Sequence, residues 1–89
     1  MEFEFDPAKS AINKERHGID FVEAQVLWYD DIRIDADAGH VSEPRRITVG
    51  RIGFKLWTGV YTLRGDVVRI ISVRRARIDE RFRYEQNHR

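Results

Sequence analysis

The segment Val67-Val68-Arg69-Ile70-Ile71-Ser72-Val73-Arg74-Arg75-Ala76-Arg77 decides the fold class of this chain. Most of its residues from Val67 to Val73 are β-branched, which favours a pleated strand over a helix. The same segment carries four arginines, whose planar guanidinium groups match phosphate oxygens. Because a fully buried strand gains nothing from these arginines, the segment predicts a sheet with one face or end that meets an anionic partner.

The charge distribution supports an anionic partner. Residues 1–44 contain 4 Lys and Arg against 11 Asp and Glu, a formal charge of −7, whereas residues 45–89 contain 12 against 4, a formal charge of +8. The net charge of +1 therefore hides a strong asymmetry between the halves, which points towards nucleic acid. The alternative is a surface that is merely rich in arginine.

Length and composition limit the classes of protein to which the chain can belong. The 89 residues predict one domain, 1–89, with a single modest core. The chain has no cysteine, so disulfides and thiolate metal sites are excluded. It shows no apolar run of membrane-spanning length and no signal peptide, and we expect a cytoplasmic protein without a membrane partner.

The N-terminal part predicts a short strand followed by two helices. After the strand at 2–5, Asp6-Pro7 opens a helix that ends at Gly18. Its apolar stripe would be Ala8, Ala11 and Ile12, and a second face would carry Lys9, Asn13, Arg16 and His17. A second helix would run from Asp20 to Asp30, with Glu23 completing a capping box. Four of its side chains would face the core: Phe21, Ala24, Leu27 and Trp28.

The rest of the chain predicts strands and one last helix. Strands are expected at 32–36, 46–52, 54–63 and 67–73, with a mobile polar loop at 37–44. The last helix would be capped by Asp79, reach about Gln86 and pack Ile78 and Phe82 inward. The predicted fold is therefore α+β: a mostly antiparallel four- to five-stranded sheet, two N-terminal helices packed on one face, and a C-terminal helix.

A two-residue turn at Arg64-Gly65 would set the faces of the last hairpin. One face would cover the core beneath the helices and carry Phe54, Leu56, Val60, Val67, Ile71 and Val73. The other would be open to phosphates and stacked bases and carry Lys55, Trp57, Tyr61, Ser72 and Arg74, with Gly59, Val68 and Ile70. A register slip of one residue would exchange the two faces.

Several side chains are candidates for chemistry, each with a structural alternative. His17 is either a cation at a helix C-terminus or a general acid or base, whereas His40 and His88 carry no signal. Of Arg74 and Arg75, which point to opposite faces, one is expected to pair with Glu80 or Asp79 and the other to meet the ligand. Glu80 and Tyr84 are a surface pair or an acid–base pair, and Trp57 is a core or a stacking residue. The chain has no phosphate loop, dinucleotide fingerprint or metal motif, so neither a cofactor nor a metal is predicted.

An ordered set of motifs resembles the BrnT toxins of bacterial type II toxin–antitoxin systems. The motifs are Asp6-Pro7-x-Lys9-x-x-x-Asn13-x-x-Arg16-His17-Gly18, Phe21-x-Glu23-Ala24, Thr62-x-Arg64-Gly65-Asp66, Arg69-Ile70-Ile71-Ser72-x-Arg74-Arg75-Ala76 and Glu80-x-x-x-Tyr84-Glu85. They cover nearly the whole chain in order. The chain departs from the family at Leu63, where Glu is common, at Val73, where Ala is common, and at Ile32, where Pro is usual.

The resemblance implies a RelE-like fold and a ribonuclease that stops translation. It also implies a BrnA-like ribbon-helix-helix antitoxin, with operator DNA bound only through the complex. We expect metal-independent cleavage in which the ribose 2′-hydroxyl attacks the neighbouring phosphate. The candidate catalytic residues are His17, Arg74, Arg75, Glu80 and Tyr84, and the candidate RNA-binding residues are Lys9, Asn13, Arg16, Lys55, Trp57 and Arg69. The alternatives are a non-catalytic nucleic-acid-binding or operon-regulating module, and an interaction domain that docks an acidic partner.

Overall fold

The computed structural model describes residues 1–40 and 42–87. These residues form one five-stranded sheet, in the order β1-β5-β4-β3-β2, with helices on both of its faces. His88 lies outside the described residues. The elements in chain order are β1 (Glu2–Glu4), α1 (Pro7–His17), a 3₁₀ helix (Glu23–Tyr29), β2 (Ile34–His40), β3 (Pro44–Ile52), β4 (Lys55–Arg64), β5 (Val67–Arg75) and α2 (Ile78–Asn87).

The sheet is mixed. Strands β2 to β5 form an antiparallel ladder, whereas β1 pairs parallel to β5, with Glu2 opposite Val67 and Glu4 opposite Arg69. The predicted α+β class and the number of strands are therefore confirmed, and the parallel pair is an addition. A three-residue strand is too short for its sequence to indicate which neighbour it joins or in which direction.

The bounds of α1 agree with the prediction, but its buried face does not. Asp6 accepts a hydrogen bond from the Ala8 amide at 2.9 Å, and Gly18 ends the helix with a φ of 83°. The predicted apolar stripe is wrong, because Ala8, Ala11 and Ile12 are exposed. The helix instead buries Ser10 and Asn13, whose polar atoms are bonded to other parts of the chain.

The predicted second α-helix is wrong: the segment is a 3₁₀ helix. The capping box forms as expected, because Asp20 accepts from the Glu23 amide at 2.7 Å and Glu23 accepts from the Asp20 amide at 3.0 Å. The predicted core residues are all buried: Phe21, Ala24, Leu27 and Trp28. The first three recur every third residue, which is the period of a 3₁₀ helix, so one side of the tighter helix faces the sheet.

The predicted loop at 37–44 is mostly strand. β2 continues to His40 and β3 begins at Pro44, with a register irregularity between Asp37 and His40. The segment is polar because β2 lies at the edge of the sheet, where most of its side chains are exposed. His40 is therefore an exposed strand residue.

The hairpin between β4 and β5 turns one residue later than predicted. Arg64 pairs with Val67, so the turn residues are Gly65 and Asp66. Gly65 has a φ of 60°, a conformation that glycine adopts without strain at the first position of such a turn. In addition, Val60 pairs with Ser72 whereas Tyr61 pairs with Ile70, so Ile71 is an extra residue that forms a bulge in β5.

The predicted core face of the sheet is also wrong. The predicted packing of two N-terminal helices on one face is also wrong, because α1 lies along the outer edge of β5, where Asn13 bonds to the Val73 backbone. We call the face beneath the 3₁₀ helix the front face. It carries residues predicted to be open, which pack against Trp28: Trp57, Tyr61, Val68 and Ile70. Val73 joins this core because the bulge at Ile71 shifts the alternation of the strand. Ser72 and Arg74 consequently lie on the opposite, back face, where Arg74 is opposite Thr58.

Helix α2 packs on the back face with its polar side inward. It buries Glu80 and Tyr84, and Tyr84 packs with Val49 and Leu56. The predicted inward residues, Ile78 and Phe82, are 76% and 64% exposed. The predicted cap is also wrong, because Glu80 rather than Asp79 accepts the hydrogen bond from the Arg77 amide, at 2.8 Å.

Candidate functional site

A cleft between α1 and β5 gathers several of the predicted site residues. Its cavity has a volume of about 190 Å³. We call it the α1–β5 cleft; it is lined by Lys9, Ile12, Asn13, Arg16, His17, Ile71 and Ser72. Five of these seven side chains can form hydrogen bonds with a ligand or with the protein, and three of them are basic or titratable.

Helical spacing explains the α1 side of the cleft. Lys9, Arg16 and His17 are separated by seven and eight residues, about two turns, and therefore lie along one face of α1. All three side chains are exposed, which leaves their polar ends available to solvent and ligands. Arg16 and His17 also occupy the last turn of the helix, where a cation is favoured by the helix dipole.

Asn13 closes the interior of the cleft. Its Oδ1 accepts from the Val73 amide at 3.1 Å, and its Nδ2 donates to the carbonyls of Val73 and Ile19, both at 2.9 Å. β1 ends at Glu4, opposite Arg69, so the outer edge of β5 has no strand neighbour at Val73. The carboxamide takes the place of that missing neighbour, and Asn13 is therefore a buried structural residue.

The β5 side of the cleft is formed at the bulge. Ile71 is the extra residue, and Ser72 follows it as the partner of Val60. A bulge bends its strand and re-aims the adjacent side chains. Here it brings the half-buried Ser72 into the same cavity as Arg16 and His17.

Arg74 and Glu80 form a nearly buried ion pair. Arg74 donates from Nη1 to Oε1 at 2.7 Å and from Nη2 to Oε2 at 2.9 Å. Glu80 also accepts from the Thr58 hydroxyl at 2.9 Å and from the Arg77 amide at 2.8 Å. The Arg74 hydrogen bonds, opposed by burial and helped by the other two donors, lower the pKa of Glu80 to about 2. A carboxylate of this kind is a weak base, and its bonds attach α2 to the sheet.

Tyr84 forms a hydrogen bond with a different part of the fold from the part that Glu80 binds. Its hydroxyl donates to Oδ2 of Asp30 at 2.7 Å, and that oxygen also accepts from the Arg51 amide at 2.9 Å. Burial and the hydrogen bond to Asp30 raise the pKa of Tyr84. Glu80 and Tyr84 thus share one side of α2 but have different partners, which joins the helix to two parts of the fold.

The predicted shared surface of Lys55, Trp57 and Arg74 is not present. Trp57 is 8% exposed and belongs to the front core, whereas Arg74 lies on the back face. Arg75 is exposed, and its guanidinium carbon lies 5.5 Å from the centre of the Trp57 ring, a cation–π contact. Lys55 is exposed at the start of β4.

Arg69 connects the parallel pair of strands. It donates to Glu4 at 2.8 Å, and Arg64 approaches the same carboxylate oxygen at 3.9 Å. Arg69 is therefore held across the β1–β5 pair, at a part of β5 that does not line the α1–β5 cleft.

A second polar cluster, around Tyr61, is not predicted by the sequence. The Tyr61 hydroxyl donates to Asp35 at 3.1 Å and accepts from Nε of Arg46 at 3.4 Å, beside an ion pair between Arg46 and Asp37 at 2.8 Å. Burial raises the pKa of Tyr61, and the cluster borders a cavity of about 440 Å³. The sequence does show Asp35 and Asp37 alternating along β2. It does not identify Arg46 as their cationic partner, because that pairing depends on the register between β2 and β3.

Residues 1–40 and 42–87 contain neither a metal-binding cluster nor a membrane-spanning helix. No group of three or more His, Cys, Asp or Glu side chains is arranged to hold a metal ion. Among the same residues, no helix has the length and hydropathy needed to cross a membrane.

Comparison with known proteins identifies a family match. The model of the family described as "Ribonuclease toxin, BrnT, of type II toxin-antitoxin system" matches residues 5–80. The matched region extends from Phe5 through Glu80 and contains all of the residues that line the α1–β5 cleft. No individual curated protein matches the chain.

Proposed function

Because the chain belongs to the BrnT family of ribonuclease toxins of type II toxin–antitoxin systems, we propose that it is an endoribonuclease that binds and cuts RNA in the α1–β5 cleft. The observation that carries this assignment is the grouping of Lys9, Arg16 and His17 with Ser72 around one cavity. Cations attract the phosphate backbone, and an imidazole transfers protons near neutral pH.

The other predicted catalytic groups are less available for proton transfer. Glu80 is occupied by Arg74, Thr58 and the Arg77 amide, and Tyr84 is hydrogen-bonded to Asp30. We therefore assign Arg74, Glu80 and Tyr84 to the support of the fold. Arg75, which is exposed, and Lys55 are assigned to the approach of the RNA backbone rather than to the reaction.

The proposed reaction is an internal transesterification. A base removes the proton of the ribose 2′-hydroxyl, the oxygen attacks the adjacent phosphorus, and the bond to the 5′-oxygen breaks as that oxygen receives a proton. His17 carries out one of the two proton transfers, and a water molecule carries out the other. Arg16 and Lys9 stabilise the negative charge that develops on the phosphate oxygens, and Ser72 donates a hydrogen bond to one of them. The products are a 2′,3′-cyclic phosphate and a 5′-hydroxyl.

The proposed biological role follows from the family. Cleavage of messenger RNA in the cytoplasm would stop translation, and a BrnA-like antitoxin with a ribbon-helix-helix part would neutralise the toxin. Operator DNA would be bound through the antitoxin in the complex. The chain itself needs only the 2′-hydroxyl of its substrate to distinguish RNA from DNA.

Replacement of His17 tests the proposed site. We expect His17→Ala to lower the rate of cleavage of a single-stranded RNA by about 10²–10⁴-fold, the range for loss of a general acid or base. His40→Ala is the matched control, because His40 is an exposed histidine on β2 and does not line the cleft. Its cleavage rate and its melting temperature should equal those of the wild type.

Two results would contradict the assignment. If His17→Ala cleaves normally and loses only about 0.3–1 kcal/mol of stability, His17 is only a cation at the end of α1. If the wild-type protein binds RNA with a strong salt dependence but does not cleave it, the protein is a non-catalytic binding module.

A further inference from the structure

Helix α2 presents an apolar surface to solvent. Helices of globular proteins normally turn their apolar side chains towards the core. α2 does the opposite, because Glu80 and Tyr84 are buried whereas Ile78 and Phe82, one turn apart, are 76% and 64% exposed. The hydrogen bonds of Glu80 and Tyr84 fix this orientation. An exposed apolar pair in such a fixed position is typical of a surface that binds another protein.

The surface around Phe82 has a shape that can receive side chains. Phe82 lines two open depressions, of about 200 and 400 Å³. The first is lined by Ile78, Arg81, Phe82 and Glu85, and the second by Ile34, Phe82, Arg83, Gln86 and Asn87. Phe82 thus forms a ridge with a groove on each side and one arginine in each groove. We call this the α2 docking surface.

The charges of the α2 docking surface indicate the chemistry of its partner. Arg77, Arg81 and Arg83 are exposed on this segment, against the two exposed acids Asp79 and Glu85. Because Arg81 and Arg83 flank Phe82 on both sides, acidic side chains beside an apolar one would be favoured in a partner.

We propose that the α2 docking surface binds an amphipathic helix of the antitoxin whose apolar residues are flanked by Asp and Glu. The identification of the partner rests on the proposed function, since a type II toxin is bound directly by its antitoxin. The partner segment is inferred to be a helix, because a helix can place apolar residues about one turn apart along the ridge of Ile78 and Phe82.

This surface is separate from the α1–β5 cleft. α1 packs along β5, whereas α2 packs mainly on β3 and β2 and reaches β5 through the ion pair of Glu80 with Arg74. The residues that line the cleft and those that line the two depressions do not overlap. The antitoxin is therefore anchored at a place where substitutions leave the RNA-binding residues untouched. Binding of the antitoxin and cleavage of RNA can be lost independently.

The test uses the full-length toxin and its purified cognate antitoxin. We expect the double variant Ile78→Ala/Phe82→Ala to bind the antitoxin at least about 30-fold more weakly, the effect of losing one central anchor of an interface. Its cleavage of RNA should remain normal, so that cells producing it are no longer protected by the antitoxin. Leu63→Ala is the matched control: Leu63 is also a large exposed apolar residue, but it lies beside the β4–β5 turn.

A charge-reversal variant tests the acidic part of the proposal. Arg81→Glu/Arg83→Glu should slow association with the antitoxin about 10-fold at low salt and reduce its salt dependence. Unchanged association would overturn the acidic character of the partner.

Three other outcomes are decisive. Wild-type affinity in Ile78→Ala/Phe82→Ala would overturn the docking site. A free wild-type toxin that sediments as a dimer, and becomes monomeric in this variant, would assign the surface to a second copy of the chain and also overturn the proposal. If the antitoxin binds through Phe82 while the toxin cuts no RNA, the docking site stands and the proposed ribonuclease site fails.

Discussion

At the scale of single residues, the ion pair of Arg74 with Glu80 is one of the pairings expected from the sequence, and its role is structural. A surface ion pair contributes little to stability, but this carboxylate is buried and receives four hydrogen bonds from three residues. It joins β5, β4 and the start of α2. The arginine-rich strand that first suggests RNA binding thus uses one of its arginines to hold a helix.

Removal of Arg74 should destabilise the protein. Arg74→Ala leaves the Glu80 carboxylate buried without its cation, and because Arg74 itself is about a quarter exposed we expect a loss of about 2–3 kcal/mol, at the lower end for such pairs. Urea unfolding of Arg74→Ala, Glu80→Ala and the double variant measures this. The double variant should be clearly more stable than the sum of the single losses indicates. Additive losses would show that the two side chains are not coupled, and a growth-inhibition defect in a normally stable Arg74→Ala protein would support a role of Arg74 in the site.

The same pair should make the protein sensitive to acid. The pKa of Glu80 falls from an ordinary 4.5 to about 2 in the native state, so the unfolded chain binds more protons between these values. This stabilisation, about 3 kcal/mol, is fully present above pH 4.5 and is lost as the pH falls through about 2. Glu80→Gln should therefore be less stable than the wild type at pH 7, with a difference that narrows towards pH 2. Urea titrations at several pH values check this, and a constant difference would exclude Glu80 as the titrating group.

At the scale of elements, the contact between α1 and β5 depends on Asn13. Local signals define the helix itself: Asp6 and Pro7 at its start and Gly18 at its end. The buried side is set by long-range bonds that no local pattern contains, because Val73 is 60 residues from Asn13. This explains why the apolar stripe of α1 was predicted on the wrong residues while the bounds of the helix were correct.

Asn13→Ala should weaken this contact. The variant leaves the Val73 amide and the carbonyls of Val73 and Ile19 without partners, and we expect a loss of about 3 kcal/mol, since each buried unpaired group costs roughly 1–3 kcal/mol and the three can partly relax. Glu15→Ala, at an exposed position of the same helix, is the control and should change stability by less than about 0.5 kcal/mol. Chemical denaturation compares the two. An equal stability of both variants would show that water replaces the carboxamide.

Register explains the remaining errors at this scale. The hairpin turn lies one residue beyond the predicted position, and one further residue is inserted at the bulge of Ile71. The later turn changes each partner by two residues and keeps the predicted faces, whereas the bulge exchanges the faces of Ser72, Val73 and Arg74. Trp57 and Tyr61 are in the core because the 3₁₀ helix covers the face that was predicted to be open, and the cluster of Tyr61 with Arg46 and Asp35 could not be predicted without the pairing of three strands.

At the scale of the whole molecule, much of the architecture could be predicted, but only part of the site. The α+β class, the five strands and the last helix followed from local patterns and caps. The grouping of Lys9, Arg16 and His17 followed from helical spacing, and the structure adds Ser72 to it. The orientation of α2 could not be predicted, because the apolar Ile78 and Phe82 suggested an inward side that the hydrogen bonds of Glu80 override.

The purified protein should cut RNA in the presence of EDTA. In the proposed reaction His17 carries out one proton transfer, a water molecule carries out the other, and Lys9, Arg16 and Ser72 stabilise the developing charge. The attacking 2′-hydroxyl oxygen is retained in the product. We expect 2′,3′-cyclic phosphate or 3′-phosphate ends, which end-labelling and mass spectrometry identify, and no cleavage of DNA of the same sequence. Cleavage that requires a divalent metal, or that leaves 3′-hydroxyl ends, would reject the mechanism.

The parallel pairing of β1 with β5 has a consequence for the time course of synthesis. β1 contains the second to fourth residues of the chain, yet its partners are residues 67–69. A ribosome that adds about 5–20 residues per second needs roughly 3–13 s after making β1 to reach residues 67–69 of β5. Throughout this interval β1 has no partner and α1 has no strand on which to close the cleft. The α1–β5 cleft can therefore form only after β5 has been synthesised.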